Sequence, residues 1–197
     1  MSGHENATGG VTVAPLDADD VDAQREAASL LLEGFVEMAP DAWSGFDDAL
    51  REVRDALGPE RLCLAAKDAD GRVAGWVGAI RNYDGNAWEL HPLVVAPALQ
   101  GRGIGRVLVR ALEDELRRRG AITVYLGTDD EAGMTSLGGA DLYPGVLEKL
   151  GTMENRRGHP FTFYRRLGYE VVGCIPDANG FGKPDIFMAR RIARTDG

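Results

Sequence analysis

Three glycines at alternate positions, Gly101, Gly103 and Gly105, stand between Gln100 and an amphipathic stretch that opens at Ile104. Glycine lets backbone N–H groups approach a ligand with no Cβ in the way, and successive amides can then point into one concavity. A helix beginning there adds the partial positive charge of its N-terminus. That combination suits a diphosphate, and Arg102 and Arg106 are placed to add contacts to its oxygens. The spacing is not the G-x-G-x-x-G of a dinucleotide fold, and no Lys-Ser/Thr pair follows to make a Walker loop. A plain turn opening a helix is the alternative. Further along, Asp129 and Asp130 are adjacent carboxylates with no metal-ligand cluster around them. Such a pair suits ammonium groups, through charge-assisted hydrogen bonds. No metal site is expected.

These residues need elements to hold them. Val11 to Pro15 reads as a short edge strand. Asp17 reads as the N-cap of a helix running to Phe35, with Val21, Ala28, Leu31 and Leu32 on one face. A second helix fits Ala42 to Leu57, stopped by Gly58-Pro59. The apolar run Leu62 to Ala66, the turn at Asp70-Gly71, the strand Val73 to Ile80, the turn at Gly85 and the strand Ala87 to Val95 make a β-meander. Ile104, Val107, Leu108, Ala111, Leu112 and Leu116 recur at helical spacing up to Gly120. A buried strand follows at Ile122 to Leu126, then helices at Asp141 to Met153 and His159 to Leu167. Tyr169 to Ile175 and Asp185 to Ala189 read as a final antiparallel pair. The fold class is α/β, an α+β arrangement on a mixed sheet. Residues 11–193 read as a single domain behind a disordered lead at 1–10.

Bulk composition narrows the partners. The 197 residues suffice for an ordinary hydrophobic core. A net charge of -9 argues against nucleic acid and fits a cationic ligand, though it also serves solubility. Cys63 and Cys174 lie far apart in apolar runs and read as core residues. No apolar run approaches the ~18 residues of a membrane span, and Met1 to Gly10 lacks the apolar core of a signal peptide. A cytoplasmic protein is expected.

The run Gln100-Gly101-Arg102-Gly103-Ile104-Gly105 resembles the acetyl-CoA signature of the GNAT N-acetyltransferase superfamily. Longer stretches resemble its aminoglycoside 6′-N-acetyltransferases: Trp88 to Val95, Tyr125 to Asp130, His159-Pro160 with Phe163-Tyr164, Leu167-Gly168-Tyr169, Pro176 to Gly180, and Lys183 to Ile186. The first 58 residues are similar only loosely, and the segment around Pro40 to Phe46 is longer than usual. The resemblance implies the GNAT fold, with coenzyme A as a pseudo-strand between splayed parallel strands. It implies acetyl-CoA as co-substrate, a small polycationic amine as acceptor, and a homodimer. The thioester carbonyl falls to the Leu93 amide, the pantetheine to Leu93, Val94 and Val95, and the diphosphate to Gln100, Gly101, Arg102, Gly103, Ile104, Gly105 and Arg106. Glu89 falls in the place of the active-site acid, which binds the ammonium and takes its proton, with His91 as the second candidate. Tyr164 falls in the place of the acid that protonates the departing thiolate. Many family members carry an Asn seven residues before this Tyr, where Arg157 stands here. Phe35, Tyr83, Glu89, Asp129 and Asp130 are the candidates for acceptor binding, with Asp177 and Asp185 as extensions of an acidic wall. Phe35 and Tyr83 read equally as core, and Asp177 and Asp185 as turn residues. Two other acceptors stay open, a polyamine and a protein or peptide amine. So does a non-catalytic acetyl-CoA sensor.

Overall fold

The computed structural model describes residues 10–36 and 42–193. Residues 1–9 of the expected lead at 1–10, and part of the long segment from Pro40, lie outside the described residues. The chain divides into two compact units.

The first unit begins with β1 (Thr12–Pro15), α1 (Val21–Phe35) and α2 (Phe46–Asp55), then β2 (Arg61–Lys67), β3 (Val73–Asn82) and β4 (Ala87–Val95), and closes with α3 (Ile104–Arg118). The strands form an antiparallel meander in the order β1-β2-β3-β4. Because successive strand residues face opposite ways, Cys63, Ala65, Trp76 and Val94 share one face. They pack there with Ala27, Ala28 and Leu31 of α1 and Ala49, Leu50 and Val53 of α2. The Trp76 indole is wholly buried, and its Nε1–H donates to the Ala27 carbonyl at 3.0 Å. Leu62, Leu64, Val77 and Ala79 alternate with the first set, and α3 packs on the other side through Leu108, Leu112 and Leu116. At Gly34 the helix meets the sheet closely: a Cβ there would lie 2.5 Å from a Val94 methyl.

The N-cap of α1 is Asp20, whose carboxylate accepts from the Ala23 N–H at 3.0 Å, and not the expected Asp17. Asp17 instead accepts from Asp19 in the turn before it. Helix α2 is shorter at both ends than the expected Ala42 to Leu57, because residues 42–45 form bends.

The second unit contains β5 (Thr123–Asp129), α4 (Val146–Gly151), α5 (Phe161–Arg166), β6 (Glu170–Ile175) and β7 (Asp185–Arg191). Its strands run antiparallel in the order β5-β7-β6, which bears out the final antiparallel pair. Strand β5 reaches three residues beyond the expected end at Leu126, carried by its ladder to Asp185. The helix expected from Asp141 starts only at Val146. Asp141 accepts from the Tyr143 N–H as a turn residue, and Gly145 takes a left-handed conformation (φ 91°) that no helix interior holds. Leu137, Leu142 and Ile186 form this unit's core under α4. Among the described residues no helix is long and apolar enough to cross a membrane.

Candidate active site

Strand β4 carries the first group of candidate residues, and a bulge decides how they are presented. The β3–β4 register runs from Val77↔Leu93 to Ala79↔Leu90, so His91 and Pro92 together oppose Gly78. One extra residue on β4 bends the strand and re-aims the side chains next to it. Gly78 makes the bulge possible, since a Cβ at that position would stand 2.3 Å from the His91 carbonyl oxygen. Glu89 pairs with Ile80 and is half-buried. His91, two residues on, shares its face and is half-exposed, with Nε2 3.7 Å from Glu52 Oε1 of α2. The Leu93 side chain lies on the opposite face of the strand, paired to Val77. Glu89 and His91 are therefore brought together, while Leu93 offers this region its backbone only.

From Val95 the chain turns through Pro97–Leu99 into the glycine loop. The Gln100 side chain reaches back and donates to the Val95 carbonyl at 3.2 Å, tying the loop to the strand end. Gly101 (φ 77°) and Gly103 (φ 90°) hold left-handed conformations that side chains disfavour. Nothing lies within 4 Å of where their Cβ atoms would be, so the space over the loop is open. Gly103 is the N-cap of α3, and no side chain caps that end. Ile104 is buried and anchors the first turn, while Arg102 and Arg106 are exposed. Open backbone amides, an uncapped fifteen-residue helix and two exposed guanidinium groups fit the diphosphate of coenzyme A.

In the second unit the two adjacent aspartates part company. Asp129, at the end of β5, is exposed, and its carboxylate accepts from the Asn179 amide. Asp130 is buried, and its carboxylate accepts from the Met134 N–H, the Thr135 N–H and the Thr135 hydroxyl, closing the loop beyond β5. Burial opposes the Asp130 charge, but these hydrogen bonds and nearby His159 outweigh it and hold its carboxyl below the usual range. Its geometry is that of a loop clamp. Asp177 likewise accepts from the Gly182 N–H within a turn, and the Asp185 carboxylate lies against Gly127. Asp129 is exposed, and Asp185 stands opposite it in the β5–β7 ladder.

His159 is wholly buried. Its Nδ1 accepts from the Phe161 N–H, so its Nε2–H donates to the Asp129 carbonyl at 3.0 Å. Desolvation pulls its pKa below the ordinary value despite that bond and the two aspartates. His159 thus fixes both the start of α5 and the end of β5. Tyr164 follows on α5, its ring edge-on to Phe163 and Tyr169. Burial pushes its phenol pKa well up, so the hydroxyl keeps its proton at neutral pH. Asn155 binds the backbone at Gly158 and His159, and Arg157 turns its guanidinium to the carbonyls of Ala132 and Gly133. Both therefore serve the loop before α5.

Two further candidates resolve differently. Phe35 packs edge-on against Trp43 at 5.1 Å on the margin of the α1–α2 core. Tyr83 is 75% exposed in the turn between β3 and β4, so its reading as a core residue fails. Cys63 is a buried core residue as expected, its thiol pushed up to about 12 by burial, and Cys174 is half-buried on β6. Among the described residues no cluster of three metal-ligating side chains exists. Sequence reasoning passed over Glu52. Its signal was its place at helical spacing from the buried Ala49 and Ala56, which turns it toward the sheet.

The pattern of the acetyltransferase (GNAT) family matches residues 28–138, more than half of the chain. A solved aminoglycoside 6′-N-acetyltransferase complexed with coenzyme A superposes with a TM-score of 0.86 at 38% identity, over 94% of this chain and 99% of that one. The aminoglycoside 6′-N-acetyltransferase from Enterococcus faecium superposes at 0.83, also at 38% identity, over 94% and 99%. Mycothiol acetyltransferase of Stackebrandtia nassauensis is 40% identical over 90 residues, which make up 45% of this chain and 29% of that protein. The chain spans less than a third of that relative.

Proposed function

This chain belongs to the acetyltransferase (GNAT) family, and on that premise we propose that it transfers the acetyl group of acetyl-CoA to the 6′-amino group of an aminoglycoside. The observation that carries the acceptor is the 38% identity, over 94% of the chain, to an enzyme of that specificity. The net charge of -9 supports a polycationic ligand. Residues 11–193 act as one catalytic domain. The protein works as a cytoplasmic homodimer, and acetylation of the drug confers resistance.

In this reading the amides of Gly101, Gly103, Ile104, Gly105 and Arg106 hold the diphosphate, with Gln100 keeping the loop against Val95 and Arg102 and Arg106 supplying positive charge. Val94 and Val95 pair with the pantetheine, and the Leu93 N–H polarises the thioester carbonyl. An alkylammonium cannot attack, because its nitrogen lone pair carries a proton. Glu89 binds that ammonium and draws off the proton, directly or through water, with His91 beside it on the same face. The amine then attacks the thioester; as the intermediate collapses the C–S bond breaks, the Tyr164 hydroxyl gives its proton to the departing thiolate, and the amide nitrogen sheds its second proton to solvent, from which Tyr164 is reprotonated. Asp129, with Tyr83 and Phe35, receives the rest of the acceptor, while Asp130 supports Asp129 from behind as the clamp of its loop.

The test is thiol release from acetyl-CoA with a panel of kanamycin-like aminoglycosides, polyamines and peptides. Turnover confined to aminoglycosides bearing a 6′-amine is expected. Turnover of polyamines or peptides alone would replace the acceptor and leave the family membership untouched.

A further inference from the structure

The pair His159-Pro160 stands just before α5, and the proposed acetyl transfer gives its imidazole no task. The ring is wholly buried, and both of its nitrogens are engaged. Nδ1 lies 3.2 Å from the Phe161 amide nitrogen, which can only donate, so the ring hydrogen sits on Nε2. Nε2 lies 3.0 Å from the Asp129 carbonyl oxygen, which can only accept, and that bond demands the same tautomer. Two hydrogen bonds of ordinary length, away from solvent, thus agree on one setting of the ring.

The chain path at His159 does not depend on those bonds. Asn155 already holds the backbone there. Its side-chain oxygen accepts from the Gly158 and His159 N–H groups at 2.7 and 2.9 Å, and its amide donates to the His159 carbonyl at 2.8 Å. The imidazole is therefore left to join two elements, the first residue of α5 and the last residue of β5. Strand β5 is fixed by the ladder to β7 that runs its whole length. Helix α5 has six residues, less than two turns, so the setting of its first turn decides where its side chains stand. Tyr164 lies one turn after Phe161 on the same buried side, with its ring edge-on to Phe163 and Tyr169.

We propose that His159 is a positioning residue for Tyr164: its imidazole pins the start of α5 to the end of β5, so that the phenol is held where the thiolate leaves. His159 acts only through Tyr164, and so within the acetyl-transfer reading. It exchanges no proton in the reaction and adds no chemical step. Its effect is on the distance over which Tyr164 delivers a proton, to which rates are sensitive.

Two substitutions separate the two bonds. An asparagine side chain ends short of the Nε2 position, but it can accept from the amide two residues on, as asparagines in turns do. His159→Asn therefore keeps the start of α5 and cuts the pin. Glutamine carries an N–H donor near the Nε2 position, so His159→Gln keeps a route to the Asp129 carbonyl. The readout is kcat for thiol release, on the acceptor that the wild type turns over best. It should fall severalfold in His159→Asn, up to the roughly tenfold expected of Tyr164→Phe, with KM for acetyl-CoA unchanged. His159→Gln should recover part of that loss, and His159→Asn should cost nothing more in a Tyr164→Phe background. A group that merely starts α5 would give the reverse order, with asparagine the better substitute. Wild-type kcat in His159→Asn, a kcat there at or above that of His159→Gln, or an equal loss in both backgrounds overturns the proposal. Each value is a ratio to the wild type, so an acceptor other than an aminoglycoside defeats the substrate reading and leaves this one intact. The 15N spectrum of His159 in the wild type needs no variant to fold. It should show the Nε2–H tautomer alone at neutral pH, and the Nδ1–H form or a mixture also overturns the proposal.

Discussion

In the proposed mechanism Glu89 and Tyr164 face opposite demands, and their surroundings differ. A group that binds an ammonium must be reachable, and Glu89 is half-buried on a strand face. Tyr164, by contrast, is buried, and desolvation pushes its phenol pKa further up, so its proton is held more tightly than that of a free tyrosine. Glu89→Gln should leave acetyl-CoA affinity intact by calorimetry and lower kcat on the order of 100-fold, since a positioned acid or base contributes at least that much. Tyr164→Phe should slow thiol release roughly tenfold without abolishing it, less than a general acid usually contributes, because a thiolate leaves readily unaided. Most of these residues were legible in the sequence by type and neighbourhood. What could not be read there was which carboxylate looks inward. Asp129 and Asp130 are chemically identical neighbours, and the Thr135 hydroxyl that captures Asp130 is a matter of loop geometry. The separation of Tyr83 from the core was hidden for the same reason, because exposure of a turn aromatic depends on what does not fold over it.

At the scale of elements, periodicity located most of the helices and strands, and local backbone chemistry decided the rest. Helix α3 stands where its apolar spacing placed it, from Ile104 to Arg118, and the meander of β2, β3 and β4 follows the expected runs. The bulge at His91 and Pro92 was invisible, because a register shift leaves no mark on the alternation of one strand. Its signature was on the partner, as Gly78 amid bulkier neighbours. Replacing Gly78 with Ala forces a Cβ against the His91 carbonyl and should cost about 2 kcal/mol of stability by chemical denaturation, as overpacking does. Gly103→Ala acts on a different quantity. The added Cβ meets no atom of the protein, but a φ of 90° costs an alanine about 1–2 kcal/mol. Weaker acetyl-CoA binding with an unchanged acceptor KM is expected. The late start of α4 has a related cause, since the Gly145 turn overrode an apolar spacing that continued through it.

On the scale of the whole molecule, charge and protonation set the working conditions. His159 is neutral in the fold, and its pKa there lies below the ordinary 6.5. The unfolded chain therefore gains a proton near 6.5 that the folded chain refuses, so stability should fall as pH drops below that value. The melting temperature measured from about pH 7.5 to about pH 5 should decline, and His159→Gln should flatten the decline. Acetylation itself is most directly tested by its product. Incubation of the protein with acetyl-CoA and an aminoglycoside bearing a 6′-amine, followed by mass spectrometry and NMR of the drug, locates any acetyl group added. The account predicts a single acetyl on the 6′-nitrogen. An unmodified drug, or an acetyl carried on another amine, would contradict it.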